Sequence, residues 1–178
     1  MDGRQFVKLL IPVKKVHLGK GIFRWPARPI LASHNNADSL ALKQLSRDLA
    51  GKNIKAHTVR GDCIQATVRI SRDRKIKNDE AYRLIVTPDN ITGCAKTDSG
   101  AYYALQTLRD LVSIYGKTLP ACVIEDKPDF HRRGIYHDCS RGKVPKLSTL
   151  KELVERLAHW KINELELYVE NVFKFKRH

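Results

Sequence analysis

Residues 124–141 read IEDKPDFHRRGIYHDCSR, and this stretch contains the change from one part of the fold to the next. Its first portion, residues 125–129, is charged and carries a proline, which is typical of a crossover between domains. Residues 134–139 then have the pattern of a β-strand. The stretch therefore predicts a domain boundary, with one domain over residues 1–126 and a second over residues 127–178.

On the C-terminal side of this stretch, a helix is followed by another strand. Apolar residues have helical spacing over residues 150–159, and Thr149 with Glu152 has the pattern of a capping box. Residues 164–169 favour a strand. Strand, helix and strand in this order indicate the βαβ unit of a parallel sheet or barrel. A complete (β/α)8 barrel needs about 250 residues, so these residues contain its first step.

On the N-terminal side, two amphipathic helices alternate with short strands. Apolar residues recur every three or four positions over residues 38–50 and again over residues 99–115. Strand patterns surround them at residues 16–24, 55–60, 66–70, 82–87, 90–95 and 122–124, and a loop through Pro29 follows the first. This order predicts an α+β domain whose mixed sheet carries both helices on its covered face.

The charge of the chain does not identify a partner. The net charge is +14, from 33 Lys and Arg against 19 Asp and Glu, which suits an anionic partner such as nucleic acid. The basic residues are scattered, however, no groove-reading motif accompanies them, and aromatic residues make up 7% of the chain. We therefore expect no nucleic-acid binding.

The cysteines and the N-terminus carry no further functional signal. Cys63, Cys94, Cys122 and Cys139 are far apart and form no C-x-x-C pair, which favours free thiols over a metal site or a disulfide framework. The first residues lack the pattern of a signal peptide, and no stretch is apolar enough to span a bilayer. The sequence predicts no cofactor and no metal, and it leaves the native compartment unknown.

Three motifs resemble glycoside hydrolase family 20, the β-N-acetylhexosaminidases. Residues 80–108 contain S-G-A-Y-Y-A-L-Q-T-L after two strands, which is similar to the helix of the domain that precedes the family's barrel. Residues 124–141 resemble the family pattern I-x-D-x-P-x-F-x-x-R-G-x-x-x-D-x-S-R, which leads into the first barrel strand. Residues 161–163 match the K-x-N that introduces the second strand. The resemblance covers about residues 80 to 170.

The resemblance implies a fold and an activity. The fold is a zincin-like α+β domain, like domain 2 of hexosaminidases, followed by the start of a TIM barrel. Members remove terminal N-acetylhexosamine, GlcNAc or GalNAc, with retention. Their mechanism is substrate-assisted, with an adjacent Asp-Glu pair in an H-x-G-G-D-E stretch and the substrate's own acetamido oxygen as nucleophile, unlike the pattern of two protein carboxylates. These 178 residues contain no such stretch, so we expect no catalytic residue and no activity in this chain alone.

The resemblance also indicates two residues that bind substrate. Arg133 matches the family arginine that reaches the 3- and 4-hydroxyls of the sugar, and a guanidinium is a rigid fork suited to two neighbouring hydroxyls. Glu170 lies next to the position of an aspartate in the family pattern L-H-x-H-L-T-D, where this chain has Asn171. Glu166 and Tyr168 replace the two histidines of that pattern, which indicates a divergent subgroup. Glu170 is either a substitute for the aspartate or a rim carboxylate.

Other conspicuous residues have simpler structural interpretations. Asp138 and Arg141 match the D-x-S-R of the first strand, and we expect a structural ion pair or a loop anchor. His131, His137 and His159 have no partner at the spacing of metal ligands.

Two alternatives to a hydrolase portion stay open on sequence grounds. One is a free-standing carbohydrate- or protein-binding module, and the other is a basic nucleic-acid binder. In the hydrolase interpretation the partner of the full-length protein is a glycan with a terminal N-acetylhexosamine, and full-length family members are often exported. An incomplete barrel would also leave an apolar face that a second copy of the chain could cover.

Overall fold

Nine strands and three α-helices occur in the part of the chain that the computed structural model describes, which is Leu9, residues 11–61, residues 63–170 and Lys176. In chain order they are β1 (Lys15–Arg24), β2 (Ile30–Ser33), α1 (Ser39–Ala50), β3 (His57–Arg60), β4 (Val68–Arg72), β5 (Tyr82–Val86), β6 (Ile91–Ala95), α2 (Asp98–Tyr115), β7 (Thr118–Asp126), β8 (Gly134–Asp138), α3 (Leu147–His159) and β9 (Glu164–Tyr168). The chain separates into two compact units, Met1–Pro128 and Asp129–His178. No helix among the described residues is long and apolar enough to cross a membrane.

The first unit is built on a mixed sheet of seven strands in the order β1-β7-β5-β6-β4-β2-β3. The four strands from β1 to β6 in this order pair antiparallel. The strands from β6 to β3 pair parallel. The predicted α+β class with a mixed sheet is confirmed.

The core of the first unit lies between this sheet and helices α1 and α2. Tyr82, Leu84 and Val86 are buried at alternate positions of β5, because successive side chains of a strand point to opposite faces. They belong to one hydrophobic cluster with buried leucines of both helices, among them Leu45 and Leu108. The paired helical stripes in the sequence are therefore core positions of one unit.

Strand β2 was not predicted, and it lies inside the sheet between β3 and β4. From the sequence, a loop was expected through Pro29, just before this strand. Leu31 and Ala32 are both fully buried. A short strand buried on both faces shows no polar alternation, so periodicity could not separate it from the loop.

Strand β7 is also longer than predicted, since it covers nine residues against the expected 122–124. Pro120 and Ala121 interrupt the strand pattern in the sequence. In the structure Pro120 lies opposite Ile22 of β1, an outermost strand of the sheet, where a residue without an N–H is tolerated.

The first turn of helix α2 packs closely against the sheet. Thr97 caps it, and its side chain accepts a hydrogen bond from the Gly100 amide. A Cβ on Gly100 would lie 2.5 Å from the Ala81 carbonyl oxygen and 3.0 Å from Ala95 Cβ. The glycine in the sequence S-G-A-Y-Y is therefore required for close packing of the helix on β5 and β6.

The second unit contains β8, α3 and β9. The two strands are adjacent and parallel, with Gly134 opposite Glu164 and Asp138 opposite Tyr168, which confirms the predicted pairing. The predicted capping box is wrong, because α3 begins at Leu147 and Lys146 precedes it without a side-chain cap. Within α3, the side chain of Leu157 is buried.

Candidate functional site

The carboxyl ends of β8 and β9 bring five polar or aromatic residues together, and we call this group the strand-end cluster. Asp138 and Tyr168 are the last residues of the two strands and lie opposite each other. A hydrogen bond of 3.0 Å from the Cys139 amide to the Tyr168 carbonyl continues the pairing beyond them. The members of the cluster are Asp138, Ser140, Arg141, Tyr168 and Glu170.

Asp138 organises the turn that follows β8. Its Oδ1 accepts hydrogen bonds from the amides of Ser140 at 2.8 Å and Arg141 at 3.2 Å, and its Oδ2 accepts from Arg141 Nε at 2.9 Å. The amide of Ser140, followed by the Arg141 side chain, lowers the pKa of the Asp138 carboxyl. Asp138 is thus a charged anchor, and the ion pair with Arg141 expected from the sequence is present.

Arg141 is fixed at its Nε and open at its tip. Its guanidinium carbon lies 5.1 Å from the centroid of the Tyr168 ring, in the geometry of a cation–π contact. Among the described residues, no hydrogen bond reaches its Nη1 or Nη2. The side chain is 68% exposed. Arg141 therefore presents two unused donor groups in an orientation that Asp138 and Tyr168 set together.

Tyr168 and Glu170 join β9 to the turn after β8. The Tyr168 hydroxyl donates to Glu170 Oε1 at 2.8 Å, and the Glu170 amide donates to Ser140 Oγ at 2.8 Å. The hydrogen bond to Glu170 raises the pKa of the Tyr168 hydroxyl. Glu170 thus carries a carboxylate at the same strand ends as Arg141. Asn171, which takes the place of the family aspartate, lies outside the described residues.

Tyr136 extends the cluster along the face of the two strands. Its ring centroid is 6.0 Å from that of Tyr168, and it is 61% exposed. Tyr136 and Asp138 alternate along β8, and their partners in register are Glu166 and Tyr168. Glu166 and Tyr168, which replace the two family histidines, therefore lie on the face of the two strands that carries the strand-end cluster.

Arg133 lies at the other end of β8. It directly precedes the strand and lies five residues before Asp138, which corresponds to about 16 Å at the usual rise of a strand. Its Nε donates to the Lys161 carbonyl at 2.8 Å, and its Nη1 donates to the carbonyls of Phe130 at 2.7 Å and His131 at 3.3 Å. These contacts tie the segment before β8 to the turn before β9.

Arg133 does not lie where barrel geometry places residues that contact a substrate. Barrel chemistry takes place at the carboxyl ends of the strands, and Arg133 stands at an amino end. Arg141 has the position that this geometry requires. From the sequence, a structural ion pair or a loop anchor was expected for Arg141, and its place directly after a predicted strand was the signal for a further role.

The three histidines are not brought together as ligands. Within the described ranges, no group of three or more His, Cys, Asp or Glu side chains could hold a metal ion. The Nε2 atom of His137 is buried without a hydrogen-bond partner in the described part of the chain. All four cysteines are free thiols.

The family described as glycosyl hydrolase family 20, domain 2, matches residues 10–127. A β-N-acetylhexosaminidase of Cellulomonas fimi is 31% identical over 151 residues, which are 80% of this chain and 30% of that protein. A β-hexosaminidase of Akkermansia muciniphila is 33% identical over 108 residues, which are 58% of this chain and 22% of that protein. The chain thus spans less than a third of the length of these relatives.

Solved structures share the fold at lower identity. A β-N-acetylhexosaminidase from Bacteroides fragilis superimposes with a TM-score of 0.75 at 21% identity, over 89% of this chain and 32% of that one. A family 20 exo-β-N-acetylglucosaminidase from Vibrio harveyi, in complex with N-acetylglucosamine, gives a TM-score of 0.74 at 22% identity, over 90% of this chain and 25% of that one. At these identities the likeness establishes the fold alone.

Proposed function

Because the chain belongs to glycosyl hydrolase family 20, we propose that it forms the accessory domain and the first strand-helix-strand step of the barrel of a β-N-acetylhexosaminidase. The whole enzyme removes terminal N-acetylhexosamine from glycans. In this proposal residues 1–126 form the accessory domain and residues 127–178 open the barrel. The parallel pairing of β8 with β9 around α3 supports the barrel assignment, because parallel neighbours joined by a helix are the repeating unit of that fold.

We assign sugar binding to the strand-end cluster, with Arg141 as its central donor. The observation that carries this assignment is the guanidinium whose Nε is held by Asp138 while its outer nitrogens stay open. Two parallel N–H groups suit two neighbouring sugar hydroxyls. Tyr136 adds an exposed ring beside them.

Glu170 completes the proposed site. Its carboxylate, held by the Tyr168 hydroxyl, accepts hydrogen bonds from a sugar hydroxyl or stabilises positive charge near the reacting centre. It thereby supplies the acidic group that the family carries one position later. Arg133 serves the same site indirectly, since it fixes the loop before β8.

The chemical step is assigned to residues outside this sequence. Retention with assistance from the substrate requires a general acid and a carboxylate that orients the acetamido group, and the H-x-G-G-D-E stretch that supplies both in the family is not among these 178 residues. The residues described here bind and orient the sugar. General acid–base assistance alone contributes about 10²–10⁴-fold, so the 178-residue polypeptide should not turn over substrate.

Two kinetic measurements test the proposal. The 178-residue chain is assayed with a chromogenic N-acetylglucosaminide, and no turnover is expected; measurable hydrolysis would refute the assignment of chemistry elsewhere. In a polypeptide with the complete barrel, Arg141→Ala should lower kcat/KM by about tenfold or more, through loss of charge-assisted hydrogen bonds. Arg133→Ala is the matched variant. Unchanged kcat/KM in Arg141→Ala together with a large loss in Arg133→Ala would return the sugar-binding role to Arg133.

We also propose that the 178-residue polypeptide associates with itself through the second unit. A parallel pair of strands leaves backbone groups unpaired at its edges, and Leu147, Val154 and Leu167 are 67%, 50% and 46% exposed. Sedimentation velocity should show a weight-average mass that increases with concentration. A mass that stays at the monomer value at all concentrations would contradict self-association.

A further inference from the structure

A concave pocket on the sheet of the first unit has no role in the proposed sugar site. Its volume is about 410 Å³, which is within the usual range for sites of small molecules. Ile85 of β5 and Cys94 of β6 line it and alternate with the buried core residues of their strands. The pocket therefore opens on the face of the sheet opposite α1 and α2. Ile76 from the loop after β4 adds a further apolar side chain.

The carboxylates at the wall of this pocket, which we call the sheet-face pocket, already have partners. Glu125 pairs with Arg83 at 3.2 Å. Asp126 accepts from the Tyr82 hydroxyl at 3.0 Å, and Asp73 accepts from the Lys75 amide at 2.9 Å. Arg83 thus compensates the charge of Glu125, whereas Asp126 and Asp73 keep their negative charge, because these donors are a hydroxyl and an amide.

Three lysine ammonium groups line the same pocket without such a partner. Lys15 belongs to β1, Lys75 to the loop after β4, and Lys127 directly follows β7. No ion pair or side-chain hydrogen bond involves their ammonium groups within the described residues. The whole lining contains five basic and three acidic side chains, and this excess of positive charge on a concave, partly apolar surface favours an anion.

We propose that the sheet-face pocket binds a small organic anion, namely a compact ring that carries a sulfonate or carboxylate group. The anionic group lies among Lys15, Lys75 and Lys127, and the ring contacts Ile76 and Ile85. A pocket of about 410 Å³ accommodates a small molecule. This inference does not depend on the proposed hydrolase activity, since the pocket is formed entirely within residues 14–127.

Titration of the 178-residue chain with four probes tests the proposal. The probes are benzenesulfonate, benzoate, inorganic sulfate and the neutral benzyl alcohol. Affinity is measured by calorimetry, and the position of binding by shifts of isotope-labelled isoleucine methyl signals, assigned with Ile76→Val and Ile85→Val. At least one organic anion should bind, should move both methyl signals, and should bind about fivefold or more tightly than sulfate, because the apolar contacts add to the charge.

A charge-matched pair of variants separates the pocket from the net charge. Lys15→Gln, Lys75→Gln and Lys127→Gln combined should weaken binding by about tenfold or more. Lys43→Gln, Lys52→Gln and Lys151→Gln combined remove the same charge from exposed sites elsewhere and should leave affinity unchanged within about twofold. Equal weakening in both variants, binding without movement of the two methyl signals, or equal affinity for inorganic sulfate, an adventitious ion only, would each overturn the proposal. So would the absence of binding by both organic anions.

Discussion

The Arg141 guanidinium lies over the Tyr168 ring, 5.1 Å from its centroid, although the two residues belong to different strand ends of the second unit. The same tyrosine holds Glu170 through its hydroxyl. One side chain therefore positions both a cationic and an anionic group. Its place in the chain is where the resembling family has a histidine, so the cluster is this chain's own variant of the strand end.

Substitution of Tyr168 should separate these two functions. In a polypeptide with the complete barrel, Tyr168→Phe keeps the ring under Arg141 and loses the hydrogen bond to Glu170, whereas Tyr168→Leu loses both. We expect KM for a chromogenic N-acetylglucosaminide to rise by about twofold in the first variant and by about fivefold or more in the second. Equal KM in the two variants would show that the ring contact with Arg141 has no effect on binding.

Removal of Arg133 should affect stability. Arg133→Ala deletes hydrogen bonds to three backbone carbonyls, and we expect the free energy of unfolding of the second unit to fall by about 1–3 kcal/mol. Urea denaturation followed by Trp160 fluorescence measures this loss, in a Trp25→Phe background because Trp25 of the first unit also fluoresces. Arg132→Ala is the control, because it removes a solvent-exposed ion pair with Glu164 and should cause a smaller loss. A larger loss in the control would contradict the loop-fixing role of Arg133.

A methyl group at Gly100 should destabilise the first unit. Gly100→Ala forces α2 away from the Ala81 carbonyl, and overpacking of this kind costs about 1–3 kcal/mol. Gly51→Ala is the matched substitution, since Gly51 has a φ of −62° and its Cβ would meet its nearest neighbour at 3.4 Å. We expect it to change stability by less than about 0.5 kcal/mol. The two midpoints of thermal unfolding test this, and a Gly100→Ala midpoint equal to that of the parent chain would contradict it.

The stability of the first unit should fall at alkaline pH through a buried thiol. Burial raises the pKa of Cys122 from 9.0 to about 11, so the folded state retains a proton that the unfolded state loses. The thiol's contribution is complete below pH 9 and is lost as the pH rises through about 11, with a total of roughly 2–3 kcal/mol.

Two variants without the thiol test this pH dependence. Cys122→Val and Cys122→Ala should differ from each other in stability at pH 7, because they fill the core differently. Both should show a smaller loss of unfolding free energy between pH 9 and pH 11 than the parent chain. A loss as steep as that of the parent in both variants would exclude Cys122 as its source.

Local patterns in the sequence predicted much of the fold. The stripes over residues 38–50 and 99–115 predicted α1 and α2, and the strand patterns at residues 82–87 and 90–95 predicted β5 and β6. Periodicity works in these segments because one face of each element is buried and the other is polar. It failed for β2, whose residues are apolar on both faces, and at Pro120 of β7, where pairing with an outermost strand tolerates a proline.

For the candidate site, the sequence by itself determined which residue types were available: arginines, carboxylates and tyrosines close to two predicted strands. It could not determine that Arg133 fixes a loop at one end of β8 while the outer guanidinium nitrogens of Arg141 stay open at the other end. That distinction depends on contacts between residues nearly thirty positions apart, such as Arg133 with Lys161 and Arg141 with Tyr168. Only the tertiary structure decides such contacts, because strand direction and register, rather than local sequence, set which side chains meet.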